Sequence, residues 1–311
     1  MDGILNINKP PGITSYAVVA MVKRVTREKH IGHAGTLDPM ATGVLPVCLG
    51  QATRLVEYLM DSTKTYLAEI ELGICTDSFD MEGAVTHRSD ASAVTLEKIE
   101  AALPAFRGVI NQIPPMYSAV KHHGKPLYEL AREGIEIERK IRTAKIYSLE
   151  ITDWHNPFLT IEVTCGKGTY IRSLANDLGQ SLGCGAMLKN LQRSRCAVFS
   201  VTDAVTPEQL EDACKGGFWE SLLYPMDSIL SMWNTAIVNP EKARAFRNGI
   251  LVSLSENSPE PDNNFCRAYT GDGNLLGILH FNAEKNMWQP EKVFNQLDTM
   301  ECMCSNNGRA G

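Results

Sequence analysis

The sequence lacks any long apolar run. No stretch of its 311 residues approaches the roughly 18 consecutive apolar residues of a membrane-spanning helix. Residues 1–6 also lack the basic and apolar regions of a secretory signal peptide. We therefore expect a chain that stays in the cytoplasm and contacts no membrane. With 44% hydrophobic and 21% charged residues, the composition is ordinary for a soluble globular protein, and the length allows one large domain and a small one.

Signatures of bound cofactors are also missing. The sequence contains no Walker loop, no dinucleotide fingerprint, no CxxC pair and no Cys/His group with zinc-finger spacing. These absences predict a protein that needs no cofactor and no metal. Nine cysteines are present, and most lie inside apolar runs, so we expect reduced and buried thiols. Cys302 and Cys304, near the end of the chain, are the one pair of cysteines for which binding of a soft metal stays an alternative.

An excess of basic charge is absent as well, since the formal net charge is −6. Acidic residues dominate beyond residue 200, whereas residues 1–200 are almost balanced. The segment 164–195 is locally basic, with Asp177 as its one acidic residue against Lys167, Arg172, Lys189, Arg193 and Arg195. A basic face on an acidic protein is compatible with RNA binding. A solvated surface without a partner explains the same charges, so both interpretations stay open at this point.

One stretch stands out, from Gly32 to Leu45, with the sequence GHAGTLDPMATGVL. Its three glycines give the backbone unusual freedom around a single carboxylate, Asp38, which predicts a loop. Pro39 fixes the backbone after Asp38 and biases Asp38 itself toward an extended conformation. The apolar run 44–49 predicts a buried strand, so Asp38 is presented by a stiffened loop that enters the core. A plain Asp-Pro turn without chemistry is the alternative.

Periodicity and capping signals predict the other elements. Strands are expected at 4–8, 65–73, 143–152 and 158–165. Helices are expected after Thr14 or Ser15, at 95–105, before Gly134, over 171–182 and after the capping box at Thr206. Residues 76–83 are typical of a polar turn. Farther on, the pattern predicts a helix from Asn239 to near Gly249, and strands near 250–254, 265–270 and 275–281.

Several of these segments resemble one known family. The Gly32–Leu45 stretch is similar to the catalytic motif of the TruB family of tRNA pseudouridine synthases. Further segments resemble that family in the same order along the chain, at 9–15, 64–66, 112–134, 166–178 and 183–193. The resemblance covers roughly residues 3–230 and implies a pseudouridine synthase fold. We therefore expect a mixed α/β (α+β) protein with a largely antiparallel sheet.

The resemblance also implies a division into domains. We place the catalytic domain at residues 1–230. Residues 231–295 are similar to the small C-terminal domain of bacterial TruB proteins, and we expect a PUA-like, β-rich RNA-binding domain there. Residues 296–311 have the composition of a disordered tail.

Family roles carry over to matching positions of this sequence. In the TruB family the aspartate of the motif is the essential catalytic residue, which is Asp38 here. The resemblance implies that Arg172 pairs with Asp38 and that the neighbouring Tyr170 lines the pocket. It further implies that Tyr66 stacks on the target uridine and that Leu191 contacts its base. A cation in the first turn of a helix gains nothing from the helix dipole, which indicates another partner for Arg172.

His33 lies five residues before Asp38 on the same stretch. From this position the His33 ring could take the place of the flipped base in the RNA stack. The alternative is that His33 has only a structural role in the loop. Residues of the two N-terminal motifs are expected to support the catalytic loop, namely Lys9, Pro10, Gly35, Thr36 and Leu37.

The implied reaction converts uridine 55, in the T loop of tRNA, into pseudouridine. The glycosidic bond to nitrogen breaks, the base turns while it is held, and its C5 atom rejoins the ribose. Nothing is oxidised or hydrolysed overall, so no cofactor is demanded. The base must be flipped out of the folded T loop, because an enzyme cannot reach it inside the stack. The expected partner is thus the T stem-loop of tRNA, and we expect a monomer.

Two other functions stay open. A tRNA-folding chaperone would bind tRNA and help it fold without modifying it. An enzyme of this family could also have that activity as a second role. A sugar-active hydrolase would also use an aspartate, but such enzymes normally need two carboxylates, and the Asp38 motif offers no second acid nearby. The sequence does not decide whether Asp38 attacks the ribose or the base, or acts first as a base.

Overall fold

The computed structural model describes residues 1–254 and 264–294. The chain divides into two units, Met1–Met226 and a second that begins at Asp227. The predicted tail at 296–311, with Cys302 and Cys304, lies outside the described residues.

The first unit contains both strands and helices. Its strands are β1 (Gly3–Lys9), β2 (Ile31–His33), β3 (Thr42–Leu49), β4 (Lys64–Leu72), β5 (Ile74–Thr76), β6 (Val85–Arg88), β7 (Gly108–Gln112), β8 (Lys121–His122), β9 (Lys125–Pro126), β10 (Arg142–His155), β11 (Phe158–Cys165), β12 (Ala186–Cys196) and β13 (Phe199–Ser200). Its α-helices are α1 (Ser15–Thr26), α2 (Val56–Asp61), α3 (Leu96–Ala102), α4 (Leu127–Arg132), α5 (Ile171–Ser181) and α6 (Pro207–Gly216).

One large sheet forms the centre of this unit. Its strands follow the order β1-β3-β12-β4-β11-β10-β7, with β2 beside β3 and β13 beside β12. Neighbouring strands are antiparallel, except that β12 runs parallel to β3 where Gln192 lies opposite Thr42. This is the mixed fold with a largely antiparallel sheet that the sequence predicts.

The core lies between the sheet and helices α1 and α5. Alternate residues of β4 and β11 are buried, as expected for strands with one face on a core. Val18 and Val22 of α1 and Leu174 of α5 are buried in the same core. Helix α1 begins after Thr14, whose hydroxyl accepts a hydrogen bond from the N–H of Ala17, as one of the two predicted caps. Each fully buried aliphatic side chain contributes about 1.5–3 kcal/mol.

The stretch around Asp38 contains more strand than the sequence indicates. Residues 31–33 form β2, which pairs with β3, and β3 already begins at Thr42 instead of 44. The pairing of β2 continues through a hydrogen bond from the N–H of Ala34 to the carbonyl of Pro46. Contacts between distant segments therefore order residues that glycine content alone marks as loop. The catalytic-motif loop, here called the Asp38 loop, is reduced to residues 34–41.

One predicted helix ends earlier than expected, and another ends before Gly134 as predicted. The helix predicted at 95–105 is α-helical only to Ala102 and continues as a 3₁₀-helix over Leu103–Phe106, because Pro104 has no N–H for the α-helical ladder. Helix α4 ends at Arg132, and Gly134 behind it has a positive φ of 71°. The capping box predicted at Thr206 is present at the start of α6.

The described part of the second unit has a four-stranded sheet and the α-helix α7 (Pro240–Arg247). The strands lie in the order β14 (Asn234–Val238), β15 (Phe265–Thr270), β16 (Leu275–Asn282) and β17 (Met287–Val293). Helix α7 is capped by Asn239 as predicted, and its Phe246 is buried in the core of this unit. The strand predicted near 250–254 is wrong, since only Val252 makes an isolated bridge. A β-rich C-terminal unit is present, and its PUA-like character stays a prediction.

Candidate active site

The Asp38 loop is anchored by Leu37, the residue directly before Asp38. Leu37 is buried in the core, whereas Thr36 is exposed. Ser15, at the start of α1, donates its hydroxyl to the carbonyl of Leu37 at 3.2 Å and accepts a bond from its N–H at 2.9 Å. One side chain thus satisfies both backbone groups of Leu37. This arrangement fixes the backbone from which the Asp38 side chain leaves.

Lys9 holds the backbone on the other side of Asp38. Its ammonium group is buried and donates to the carbonyl oxygens of Pro10 at 2.9 Å, Pro39 at 3.0 Å and Ala41 at 2.7 Å. These bonds use all three protons of the group. Burial lowers the pKa of Lys9 to about 8, and the charge of Asp38 opposes this shift. Lys9 therefore ties the end of β1 to the loop.

The Asp38 carboxylate is gripped at both oxygens by Arg172. Nη2 of Arg172 donates to Oδ1 at 3.0 Å, and Nε lies 3.0 Å from Oδ2. The Arg172 side chain is only 6% exposed, whereas that of Asp38 is 34% exposed. Nη2 also donates to the carbonyl of Tyr117 at 2.7 Å. This two-pronged contact fixes the plane of the carboxylate while leaving part of it open.

A second carboxylate, Asp80, lies against the same guanidinium group. Nη1 of Arg172 donates to Oδ2 of Asp80 at 3.3 Å, and the Asp80 side chain is only 4% exposed. Oδ1 of Asp80 accepts bonds from the hydroxyl of Ser78 at 2.5 Å and from the N–H of Glu82 at 3.1 Å. The expectation that Asp38 has no second acid nearby is therefore wrong. Distant backbone pairing brings this acid in, because Met81 N–H bonds to the carbonyl of Leu188.

The charges around Asp38 oppose one another. Burial raises the pKa of the Asp38 carboxyl, and Arg172 lowers it against that effect. The negative charge of Asp80 raises the pKa again, and Lys9 lowers it. The net direction is upward from the ordinary value of an aspartate. Asp38 is thus a partly open carboxylate whose protonation depends on both of its charged neighbours.

A cleft of about 520 Å³ opens beside Asp38, here called the tyrosine cleft. It is lined by five residues that the sequence analysis singles out, Asp38, Tyr66, Tyr170, Arg172 and Leu191. They come from the Asp38 loop, from β4, from α5 and the residue before it, and from β12. Four cations besides Arg172 line the same cleft, namely Lys64, Arg142, Lys167 and Arg193. A pocket of this size with apolar and aromatic walls and a few polar groups is typical of a ligand site.

Both tyrosines of this cleft interact with buried polar side chains, Tyr170 with Gln112 and Tyr66 with Arg193. The buried side chain of Gln112 accepts the N–H of Tyr170 at 3.1 Å and donates to its carbonyl at 3.1 Å. Burial raises the pKa of Tyr66 to about 12, while the charge of Arg193 and a hydrogen bond from it lower that pKa. Tyr66 is therefore a neutral phenol at physiological pH.

Comparison with known proteins relates most of the chain to one family. Residues 23–171 match the model of the TruB family pseudouridylate synthase N-terminal domain, and residues 172–231 match the tRNA pseudouridylate synthase B C-terminal domain. The protein named tRNA pseudouridine synthase B of Dehalococcoides mccartyi is 47% identical over 94% of this chain and 97% of its own length. The chain belongs to the TruB family of pseudouridine synthases. The Clostridium kluyveri protein of that name is 46% identical over 89% of this chain and 95% of its own.

Solved structures agree with this TruB family assignment. The chain matches a crystal structure of a Cbf5-Nop10-Gar1 complex with a TM-score of 0.73 and 27% identity, over 94% of this chain and 85% of that chain. It matches the archaeal box H/ACA sRNP Nop10-Cbf5 complex with a TM-score of 0.69 and 27% identity, over 95% and 87% of the two chains.

His33 stands apart from the other predicted site residues of this TruB-family chain. It lines a second cleft, of about 790 Å³, here called the histidine cleft. The two clefts meet at the Asp38 loop, since they share six lining residues, namely Thr36, Leu37, Asp38, Ser118, Ala119 and Arg172. Burial lowers the pKa of His33, and the charge of Arg193 lowers it further, which keeps the ring neutral near pH 7. His33 belongs to β2, and its Nδ1 atom is buried without a hydrogen-bond partner.

The structure adds residues that the sequence analysis of this TruB-family chain did not select, namely Ser15, Asp80 and Gln112. Each acts on a predicted residue through hydrogen bonds across long sequence distances. Ser15 and Gln112 lie in segments that resemble the family but carry no role there, and Asp80 lies in a plain polar turn. Within residues 1–254 and 264–294, no His, Cys, Asp and Glu side chains are grouped to hold a metal ion, and no helix is long and apolar enough to cross a membrane. The seven cysteines within the described residues are free thiols, and most of them are buried as predicted.

Proposed function

We propose that this protein converts uridine 55, in the T loop of tRNA, into pseudouridine, with Asp38 as its catalytic residue. The carrying observation is the partly open Asp38 carboxylate, held at both oxygens by Arg172 in a cleft with Tyr66 and Leu191. The names of its relatives support tRNA as the substrate. The exposed cations of the tyrosine cleft, Arg142 and Lys167, support contact with RNA phosphates.

The proposed reaction is an isomerisation. The bond from N1 of uracil to C1′ of the ribose breaks, and a new bond forms from C5 to C1′. C5 gives up its proton, and N1 gains one from solvent or a nearby group. Atoms and electrons balance within the substrate, so no oxidant, reductant or activated donor enters.

Asp38 acts in its ionised form, whether it adds to the sugar, adds to the base or takes a proton. The paired bonds from Arg172 orient both oxygens and favour the negative charge. Asp80, on the far side of the guanidinium, fixes Arg172 in turn. A carboxylate that is positioned before the substrate arrives needs little reorganisation during the chemical step.

The target base has to leave its stack before Asp38 can reach it. Flipping costs a few kcal/mol, and aromatic side chains recover part of that energy by stacking on the extruded base. Tyr66 and Leu191 offer a ring and an apolar side chain to the base in the tyrosine cleft. His33, in the adjoining histidine cleft, is placed to fill the gap in the RNA, and its neutral ring suits stacking.

Incubation of the pure protein with unmodified tRNA tests this function. We expect pseudouridine at position 55, without any added cofactor and in the presence of EDTA, when modified positions are identified by mass spectrometry of tRNA fragments. A tRNA with cytidine at position 55 is the matched substrate control and should remain unmodified. Pseudouridine elsewhere, or none at all, would refute the assignment. Release of free uracil would identify a hydrolase instead.

A further inference from the structure

Arg193 is a buried arginine at the centre of the large sheet. Its side chain is 1% exposed, and it lies on β12, between β3 and β4. The register places Arg193 opposite Tyr66 of β4 and opposite Gly43 of β3. Gly43 has a positive φ of 98°, and a Cβ atom there would lie 2.3 Å from the carbonyl oxygen of Arg193. The glycine thus allows the backbone of Arg193 to approach the strand that follows Asp38.

The guanidinium group binds the backbone on both sides of Asp38. Nε donates to the carbonyl of Val44 at 2.6 Å, and Nη2 donates to the carbonyl of Gly35 at 3.1 Å. Gly35 precedes Asp38 by three residues, and Val44 follows it by six. A single rigid side chain therefore fixes the separation between the two ends of the Asp38 loop. Lysine cannot do the same, because it carries a point charge without the planar fork of donors.

Arg193 also lies opposite Tyr66 in the sheet, and both residues line the tyrosine cleft. A hydrogen bond from Arg193 and its positive charge both lower the pKa of the Tyr66 phenol, against the effect of burial. The partners of the guanidinium are thus two backbone carbonyls and a phenol, all of them neutral. No ion pair of Arg193 occurs within the part of the chain that the structure describes. The buried guanidinium therefore fixes the positions of these neighbouring groups and does not neutralise a carboxylate.

We propose that Arg193 is a positioning residue that sets the Asp38 loop against the ring of Tyr66. The proposal rests on the proposed function in one respect, namely that a uracil ring turns between these two groups. During the turn the base is detached from the ribose, so the distance between Asp38 and the Tyr66 ring decides where C5 meets the ribose. A displacement of about 1 Å at a reacting centre is enough to lower a rate roughly a hundredfold.

Arg193→Lys tests this role, with Arg107→Lys as the matched control. Arg107 also donates through its guanidinium to a backbone carbonyl, that of Leu149, but it lines neither cleft. We expect Arg193→Lys to lower kcat roughly tenfold to a hundredfold while KM for tRNA stays within about twofold. Arg107→Lys should leave both values unchanged. Unchanged kcat in Arg193→Lys, or an equal change in KM, would overturn the proposal.

Two measurements without RNA separate this role from the proposed function and from general unfolding. Hydrogen exchange should become faster in peptides covering 34–45 in Arg193→Lys and Arg193→Met, and stay unchanged in Arg107→Lys. With 3-fluorotyrosine at position 66, the fluorine NMR titration should show a higher phenol midpoint in Arg193→Met than in the wild type. If either signal remains at its wild-type value in a folded variant, the proposal is wrong. If both change while the wild type makes no pseudouridine, only the proposed function fails.

Discussion

Ser15 holds Leu37 by both of its backbone groups, with its hydroxyl 3.2 Å from the carbonyl oxygen and 2.9 Å from the nitrogen. We expect Ser15→Ala to lower the free energy of unfolding by about 1–3 kcal/mol, because a buried N–H and carbonyl lose their partner. The rate constant kcat should also fall, since Leu37 precedes Asp38. Urea denaturation and steady-state kinetics measure the two effects. Ser221→Ala removes an exposed hydroxyl–carbonyl bond and should change neither.

Asp38→Asn should abolish pseudouridine formation and leave tRNA binding within about threefold, because binding is spread over many phosphate and base contacts. Filter binding and product analysis give the two numbers. Asp212→Asn, at an exposed aspartate on α6, serves as the control. Equal collapse of binding and turnover would make Asp38 structural. Cells that depend on this protein distinguish a chaperone, since growth with Asp38→Asn would indicate a function without chemistry.

Asp80→Asn should move the acid limb of the pH–rate profile to lower pH. The negative charge of Asp80 raises the pKa of Asp38, so its removal lowers that pKa and keeps Asp38 ionised in more acidic solution. The plateau rate should fall at the same time, because Arg172 loses one of its two carboxylate partners. Profiles of kcat/KM for both proteins provide the test. An acid limb that stays in place or moves to higher pH would contradict the coupling.

His33→Ala should slow the reaction by an amount that corresponds to at most the few kcal/mol of base unstacking. A tRNA fragment with a pre-opened T loop should recover part of this rate, because it has less stacking to replace. The same fragment should not rescue Asp38→Asn. Full activity of His33→Ala on both substrates would reduce His33 to a structural residue of β2, and complete inactivity on both would place it in the chemistry.

Lys9 should make the protein more stable as the pH rises above 8. Its pKa is about 8 in the folded chain, against 10.5 when exposed, so the unfolded chain binds the extra proton between these values. The free energy of unfolding then increases with pH, by about 2 kcal/mol between pH 8 and 9.5. Urea denaturation of the wild type and Lys9→Met at both pH values isolates this effect. A difference between them that is constant with pH would contradict it.

Local sequence signals predict five of the six α-helices of the first unit but only five of its thirteen strands. Thr14 and the capping box at Thr206 mark helix starts through bonds between neighbouring residues, and alternation marks β4 and β11. Strand β2 escapes prediction because three residues with a glycine carry no periodicity, and only the pairing with β3 orders them. In the second unit, β14 and β17 are likewise set by their neighbours in the sheet.

The same distinction applies to the site. Asp38 stands out in sequence because proline and glycines surround it, and Arg172 stands out because a cation is unfavourable in the first turn of a helix. Asp80 has no such mark, since its turn is as polar as many surface turns. Its role depends on Arg172, 92 residues away in the chain. Contacts at such distances are decided by the whole sheet and do not follow from any local pattern.

The parallel contact between β3 and β12 can form only after most of the first unit has been synthesised. Thr42 donates its hydroxyl to the carbonyl of Leu191, 149 residues farther along the chain. At roughly 5–20 residues per second, a ribosome needs about 7–30 s to make that intervening stretch. During this time β3 lacks a neighbour along part of one edge, and unpaired edges invite association with other chains. A nascent chain shorter than about 200 residues therefore has no tyrosine cleft, and its early strands need shielding until β12 emerges.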